Sequence, residues 1–260
     1  MKKTITILAL AIAALFFVAE NVMAVPVYYN QTQKYQNGTK KNLSDVFDEL
    51  GLTDQGYDVV NSQKTNLPYW EHSGADVVAS FVYTDYINDG GSLEFGIYSK
   101  ESGEQISLFG KGHSGTTSLS FLSDGSVSYT KNGIKKTSTT SFDTFGYYAS
   151  SYKPGHSDYN KVYSDTLKNS SYTLDVDGKE YQDWMLFYQG QDNGFKINNM
   201  GSFGKDDWLI AIDITLGSTR LDFNDLVIGV ESVHPVPEPA SMLLLGSGLI
   251  GMAVIRRKKR

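Results

Sequence analysis

The chain contains no cysteine and few histidines, and each shortage excludes a class of chemistry. Without cysteine there is no disulfide, no thiol nucleophile and no zinc–thiolate site. The histidines stand far apart, so the spacing of a zinc-binding His-x-x-x-His pair is absent. They are His72, His113, His156 and His234. No Ser-His-Asp signature or Gly-x-Ser-x-Gly elbow accompanies them, and the sequence therefore predicts no catalytic residues.

Basic residues are also in the minority, with 23 against 29 acidic residues and a net charge of −6. The two chain ends carry much of the positive charge. Setting aside Lys2, Lys3 and Glu20 at one end, and Glu238 with the five-residue basic tail at the other, leaves 16 basic and 27 acidic residues. Nucleic-acid binding needs a basic surface, so no nucleic-acid partner is predicted.

The N-terminus has the pattern of a secretory signal peptide. Lys2 and Lys3 precede an apolar run over residues 5–18, and Val22 and Ala24 form a small-residue cleavage pattern. An uncleaved membrane anchor is the alternative, but the run is shorter than the ~20 residues that a spanning helix prefers. Residues 1–24 are therefore predicted to be a signal peptide.

The C-terminus has a different pattern. Residues 240–255 carry no charge, and as a helix they would extend about 24 Å at 1.5 Å per residue. This predicts a single transmembrane helix. Three prolines over residues 234–239 predict a linker, because proline disfavours both helix and strand pairing. The last five residues predict a cytoplasmic basic tail that anchors the helix: Arg256, Arg257, Lys258, Lys259 and Arg260.

The order of these parts, Pro237-Glu238-Pro239 followed by an apolar run and a basic cluster, resembles the PEP-CTERM sorting signal. That signal occurs in Gram-negative bacteria that make extracellular polysaccharide. The resemblance implies export, anchoring in the inner membrane, and cleavage near Pro-Glu-Pro by an exosortase, which is a membrane transpeptidase. The mature protein would then reach the cell surface or extracellular matrix. A plain tail anchor is the alternative interpretation.

Residues 25–233 are typical of a β-rich domain, with many aromatic residues and frequent turn signals. Asp124-Gly125 and Asn132-Gly133 are favoured hairpin turns between alternating segments, and Asp177-Gly178 is a third candidate. The prediction is an all-β, antiparallel β-sandwich ectodomain. One short helix is expected over 45–50, capped by Ser44. Other strands are predicted at 76–87, 92–99, 105–109, 145–150, 184–189, 208–216 and 223–233.

Carboxylates and amides gather near the end of this domain. Asp213, Asp222, Asn224 and Asp225 offer the hard oxygen ligands that Ca²⁺ prefers. The alternative is that these side chains hydrogen-bond to the turn's own backbone. Calcium is the one cofactor that the sequence suggests, and both interpretations remain open.

Residues 140–233 resemble a β-rich ectodomain family of unknown function that PEP-CTERM proteins often carry. The shared marks include 145–148, Tyr163-Ser164-Asp165 with Leu167 and Asn169, 186–190, and Asp222-Phe223-Asn224-Asp225. In that family the turn before the last motif commonly carries further Asp or Asn residues, whereas this chain has Gly217-Ser218-Thr219-Arg220. Arg220 therefore offers an alternative to a cation, by pairing with Asp222 or Asp225.

The predicted function is that of an exported surface or matrix protein with a structural, adhesive or polysaccharide-associated role and no enzymatic activity. The alternative is a polysaccharide-active surface hydrolase. The aromatic candidates for stacking on sugar rings, which are equally candidates for the core of the β-domain, are Tyr69-Trp70, Tyr147-Tyr148 and Trp184.

Overall fold

The computed structural model describes most of the chain between residues 41 and 236, all within one compact unit spanning Pro26–Val236. The described ranges are 41–64, 67–74, 76–83, 92–110, 115–131, 133–152, 160–169, 174–176, 179–181, 183–192, 194–197, 202–214 and 223–236. The predicted signal peptide, transmembrane helix and basic tail lie outside these residues, as do Pro237, Glu238, Pro239, Asp222 and Arg220. No helix within the described ranges is long and apolar enough to cross a membrane.

The described strands form two main antiparallel sheets, and the larger one, sheet A, has eight of them. In spatial order these are β1 (Gln63–Lys64), β13 (Met185–Gln189), β16 (Trp208–Ile212), β17 (Leu226–Glu231), β3 (Val77–Tyr83), β6 (Thr116–Phe121), β7 (Val127–Lys131) and β8 (Ile134–Thr137). The central strands β16 and β17 are almost wholly buried, because both faces of the sheet are covered at this position.

The smaller sheet B has six described strands. These are β18 (Val233–Pro235), β2 (Trp70–His72), β9 (Phe145–Tyr152), β4 (Ser92–Ser99) and β5 (Gln105–Phe109), with β10 (Asn160–Tyr163) also pairing with β9. Two small hairpins complete the described strands. They are β11 (Leu174–Val176) with β12 (Lys179–Tyr181), and β14 (Phe195–Lys196) with β15 (Ser202–Phe203).

The inner faces of the two sheets enclose an aromatic core centred on Trp70. Its ring centroid lies 4.8 Å from that of Trp208, 5.3 Å from that of Phe187 and 5.5 Å from that of Tyr147. All four side chains are buried in one hydrophobic cluster. Edge-to-face and tilted ring contacts of this kind add to the stabilisation from apolar burial, and they hold sheet A against sheet B as a sandwich.

A second core lies on the other face of sheet A, beneath helix α1 (Leu43–Glu49). Leu43, Val46 and Phe47 on the helix pack in one buried cluster with Tyr188 of β13 and Leu209 of β16. The sandwich is therefore mostly β, with a helical element on one outer face. Because sheet B covers one face of β13, β16 and β17 and the helix covers the other, most residues on both faces of these strands are apolar.

The helix begins earlier than predicted. Asn42, and not Ser44, is its N-cap: the Asp45 N–H donates to the Asn42 side chain at 2.9 Å, and the Asn42 N–H donates to the Asp45 carboxylate at 3.0 Å. This reciprocal capping box satisfies two N–H groups at once, which a cap at Ser44 would not achieve. Gly51 follows the helix with a φ of +70°, in agreement with the predicted stop.

Several strand predictions are confirmed. Strands β4 and β5 have the predicted bounds, and β6, β7 and β8 form the predicted meander. Its first turn contains Asp124 and Gly125 but spans residues 122–126, which is longer than a two-residue turn. The second lies between the paired residues Lys131 and Ile134, although Asn132 itself lies outside the described residues. In β11–β12, Val176 pairs with Lys179, which confirms the third hairpin, although Asp177 and Gly178 themselves lie outside the described residues.

Two predictions near the end of the domain are wrong. The predicted strand over 223–233 begins only at Leu226 and breaks at Ser232, whose φ of +63° turns the chain from sheet A to sheet B. The predicted linker over 234–239 is also partly strand, since His234 pairs with Glu71 and Pro235 with Trp70. Proline is compatible with an edge strand such as β18.

Candidate functional site

The buried carboxylates predicted from the sequence lie at one end of sheet A, where β16 ends and β17 begins. Asp213 directly follows β16, and its N–H donates to the Trp184 carbonyl at 3.1 Å. Asp225 directly precedes β17, and its carboxylate accepts from the Ile214 N–H at 2.7 Å. Since Ile212 pairs with Leu226, Asp213 and Asp225 occupy the next cross-strand position.

Asn224 connects this end of the sheet to the start of α1. Its side-chain amide donates to the backbone carbonyl of Lys41, the residue before the helix cap. The preceding Phe223 is buried in the second core and has a left-handed φ of +49°. Such a backbone conformation costs about 1–2 kcal/mol for a residue other than glycine. Here the Phe223 side chain packs in the second core, while the Asn224 side chain bonds the chain before α1.

These contacts make residues 223–225 a latch between three parts of the fold. Phe223 fills the second core, Asn224 holds the chain entering α1, and Asp225 holds Ile214, two residues after the end of β16. The structure brings together Asp213, Asn224 and Asp225 of the four predicted ligands, while Asp222 lies outside the described residues. Local hydrogen bonding, one of the two interpretations left open, therefore describes part of what Asn224 and Asp225 do.

The Asp213 and Asp225 carboxylates at this end of the sheet are also candidate ligands for a cation. Asp213 is fully buried and Asp225 is 8% exposed. A positive charge beside two neighbouring carboxylates in such positions favours the charged form of each. Carboxylate and amide oxygens are the donors that calcium takes, six to eight at a time. Within the described ranges no group of three or more His, Asp or Glu side chains has metal-binding geometry. Calcium here would therefore also need oxygens from neighbouring residues or water.

Two further polar residues at this end of the fold were not predicted. Asn160 of β10 donates from its side chain to the Ile214 carbonyl at 3.2 Å, so both polar backbone groups of Ile214 are held by side chains. Asp183, just before β13, is partly buried, and desolvation raises its pKa to about 6. No motif marks either residue in the sequence, because their positions depend on strand pairing across long separations.

Most aromatic residues considered for sugar stacking are structural. Trp70, Tyr147 and Trp184 are core residues. Tyr148 lies on the outer face of sheet B but is only 1% exposed, and its hydroxyl donates to Glu94 at 2.5 Å. Tyr69 is the one among them that stays partly exposed.

The other marks shared with the ectodomain family also form a structural junction, between β10 and β2. Asn169 is buried and bonds both the N–H and the carbonyl of Tyr163, at 2.9 and 2.8 Å. The Ser164 hydroxyl donates to the Pro68 carbonyl at 2.7 Å and accepts from the Tyr147 N–H at 2.9 Å. Asp165 accepts from the Tyr69 hydroxyl at 2.6 Å. These residues hold the segment before β2 against β9 and β10.

The described fold and the chain end that follows it define a class of protein: a β-sandwich domain with a C-terminal targeting segment. Residues 235–259 match the family model of the PEP-CTERM protein-sorting motif, so the chain carries this sorting motif. No curated protein and no solved structure matches the chain.

This match confirms the predicted export route. The protein is exported, is anchored in the membrane during sorting and is then on the cell surface. Exosortase recognises PEP-CTERM motifs and is therefore the processing partner. The match begins at Pro235, the last residue of β18, so the sorting motif overlaps the last strand that the structure describes.

Proposed function

We propose that the protein has a structural or adhesive role on the cell surface, in association with extracellular polysaccharide, and that it acts without catalysis. The sorting motif supports the location, because a surface protein of this class meets the cell's polysaccharide directly. The fold supports a structural role. Within the described ranges, the aromatic residues considered for sugar stacking and the polar residues of the shared motifs serve mostly as core and junction residues.

We further propose that calcium stabilises the latch formed by Phe223, Asn224 and Asp225. The observation that carries this proposal is the burial of Asp213 and Asp225 at adjacent cross-strand positions. Asp213, Asp225 and the Asn224 side-chain oxygen would hold the ion, with Asp222 as a fourth candidate from the sequence. Calcium would supply positive charge between the carboxylates and thereby strengthen the attachment of α1 to sheet A. Extracellular calcium modules have dissociation constants of about 10⁻⁴–10⁻³ M, a range that suits a site on an exported protein.

The association with polysaccharide is tested by sedimentation. The exported protein, purified from its cells, is mixed with the extracellular polysaccharide of the same cells and centrifuged, with calcium or with a chelator. The proposal expects the protein in the polysaccharide pellet, with no new reducing sugar ends released. Release of reducing ends, at a rate proportional to protein concentration, would contradict it and would favour the alternative of a surface hydrolase. A protein that stays in the supernatant in both conditions would contradict the polysaccharide association.

A further inference from the structure

The chain leaves the sandwich beside a group of tyrosines and lysines on the outer face of sheet B. After β18, the Val236 N–H donates to the Tyr69 carbonyl at 2.9 Å. Pro237-Glu238-Pro239 follows immediately. The chain is therefore held to the sheet up to the residue before this motif, and Tyr69 marks the point of exit.

A short stretch of chain joins the exit point to the uncharged run that anchors the protein during sorting. The uncharged run begins at residue 240, four residues after Val236. An extended chain spans at most about 3.3–3.6 Å per residue, so these four residues reach roughly 14 Å. The polar headgroup layer itself occupies about 5–7 Å on each side of the hydrocarbon core. The face of sheet B around Tyr69 therefore stays within reach of lipid headgroups throughout the anchored stage.

The side chains around the exit point are cationic, aromatic and apolar. We call Tyr69, Lys100, Tyr163, Leu167 and Lys168 the exit patch. The Lys100 ammonium lies 4.4 Å from the Tyr69 ring centroid, and the Lys168 ammonium lies 5.8 Å from that of Tyr163. Both lysines are exposed. Leu167 is 78% exposed, more than any other large hydrophobic side chain in the described ranges.

Asp165 joins Tyr69 and Leu167 within the exit patch. Its carboxylate accepts from the Tyr69 hydroxyl at 2.6 Å and from the Leu167 N–H at 3.0 Å. Asp165 is itself buried, at 8% exposure, so its charge faces the protein rather than solvent. The nearby Glu71 carboxylate lies 3.5 Å from His234, and Glu101 next to Lys100 is exposed. The lysines and Leu167 are thus held outward from a protein that is acidic as a whole.

We propose that the exit patch docks the folded domain on an anionic phospholipid surface during the anchored stage. Tyrosine rings favour the headgroup level of a bilayer, and lysines near the surface are attracted to anionic lipids. An exposed leucine between them enters the boundary of the acyl chains. Docking would hold the sandwich in one orientation and keep the Pro-Glu-Pro motif at a fixed depth for its membrane-bound processing enzyme. After cleavage, so small a patch would not retain the protein, because stable anchoring needs a second signal.

The absence of cysteine allows a direct test with single labelled positions. The full chain with Leu167→Cys carries an environment-sensitive fluorophore and is reconstituted into vesicles of phosphatidylglycerol and phosphatidylethanolamine that contain a brominated quencher lipid. Because this label replaces Leu167, a second variant, Thr166→Cys, keeps the leucine. Ile134→Cys is the matched control, since Ile134 is 62% exposed on β8 of sheet A.

We expect quenching by lipid at positions 166 and 167 to be several-fold stronger than at 134. Neutral phosphatidylcholine vesicles, or the Lys100→Gln, Lys168→Gln double variant, should reduce it to the control level. Equal quenching at all three positions would overturn the proposal. Protection of both patch labels by soluble acidic polysaccharide, with no quenching by lipid, would also overturn it and would assign the patch to a glycan.

Discussion

At the scale of single residues, two glycines on the outer face of sheet B are each covered by a tyrosine from the adjacent strand. Gly146 of β9 pairs with Tyr98 of β4, and Gly96 of β4 pairs with Tyr148 of β9. A Cβ at Gly146 would lie 2.5 Å from Tyr98 Cε1, and one at Gly96 would lie 2.7 Å from Tyr148 Cε1. Only glycine lets the rings lie flat against the sheet.

We therefore predict that Gly146→Ala lowers the free energy of unfolding by about 2–3 kcal/mol, as overpacking usually does. Gly110→Ala is the control, because a Cβ there meets only Ser107 Oγ, at 3.9 Å. Urea unfolding of the full chain measures both variants. Equal midpoints for the two would show that the Tyr98 ring is not held as described.

A second residue-scale prediction concerns Asp183 and pH. Burial raises its pKa from 3.8 to about 6, so the folded state binds a proton more tightly than the unfolded state. The unfolded state releases that proton first as pH rises, and stability falls between about pH 4 and pH 6. Asp183→Asn removes this loss, and should raise the free energy of unfolding by at most about 3 kcal/mol at pH 8.

Thermal unfolding of Asp183→Asn and the unmodified protein at pH 4 and pH 8 measures this effect. At pH 4 the two proteins should differ little, because Asp183 is protonated in the fold. A gain of the same size at both pH values would mean that the carboxylate's charge is not the cause. The sequence did not indicate that Asp183 is partly buried, because it lies in a stretch of polar residues that is typical of a loop.

At the scale of elements, helix α1 depends on its capping box. Asp45→Ala removes the side chain that accepts from the Asn42 N–H, and should cost about 1 kcal/mol. Asp48→Ala is the matched control, since Asp48 is exposed in the same helix and lies outside the box. Denaturant unfolding compares them, and a larger loss in the control would contradict the assigned cap.

The elements that sequence predicted well are those with local signals. The Asp-Gly and Asn-Gly turns marked hairpins, and alternation marked β4 and β5. Strands β2, β10 and β18 were missed because they are short and owe their pairing to distant partners, such as Trp70 with Phe145 and Pro235. The turn at Ser232 was missed because nothing in a Glu-Ser-Val sequence favours a positive φ.

The latch likewise combines a local motif that the sequence shows with long-range contacts that it does not show. The motif Asp222-Phe223-Asn224-Asp225 was visible in the sequence, and the structure places Asp213 at the cross-strand position opposite Asp225. Its attachment to Lys41 was not visible, because that hydrogen bond joins residues 183 positions apart. A local motif identifies polar residues, but only the assembled sheet shows which of their atoms the backbone already uses.

At the scale of the whole molecule, the order of parts along the chain places the sorting motif at the end of the β-sandwich domain. The last described strand, β18, lies at the edge of sheet B, where its Pro235 pairs with Trp70, and the sorting motif begins at that residue. Targeting was predictable because sorting signals are linear and recognised as such. The relation of the motif to the fold was not, because the linker predicted from three prolines is in part a strand.

Thermal unfolding of the full chain in detergent measures whether calcium stabilises the latch. A site bound only in the folded state should add about 2.7 kcal/mol when calcium is a hundredfold above its dissociation constant. Asp225→Asn removes the charge while keeping an acceptor for the Ile214 N–H, and Asp54→Asn, in an exposed turn, is the control. We expect millimolar calcium to raise the melting temperature of the unmodified protein and of Asp54→Asn, but not that of Asp225→Asn. Identical melting of the unmodified protein in calcium and in chelator would contradict this expectation, and the latch would then be held by its hydrogen bonds alone.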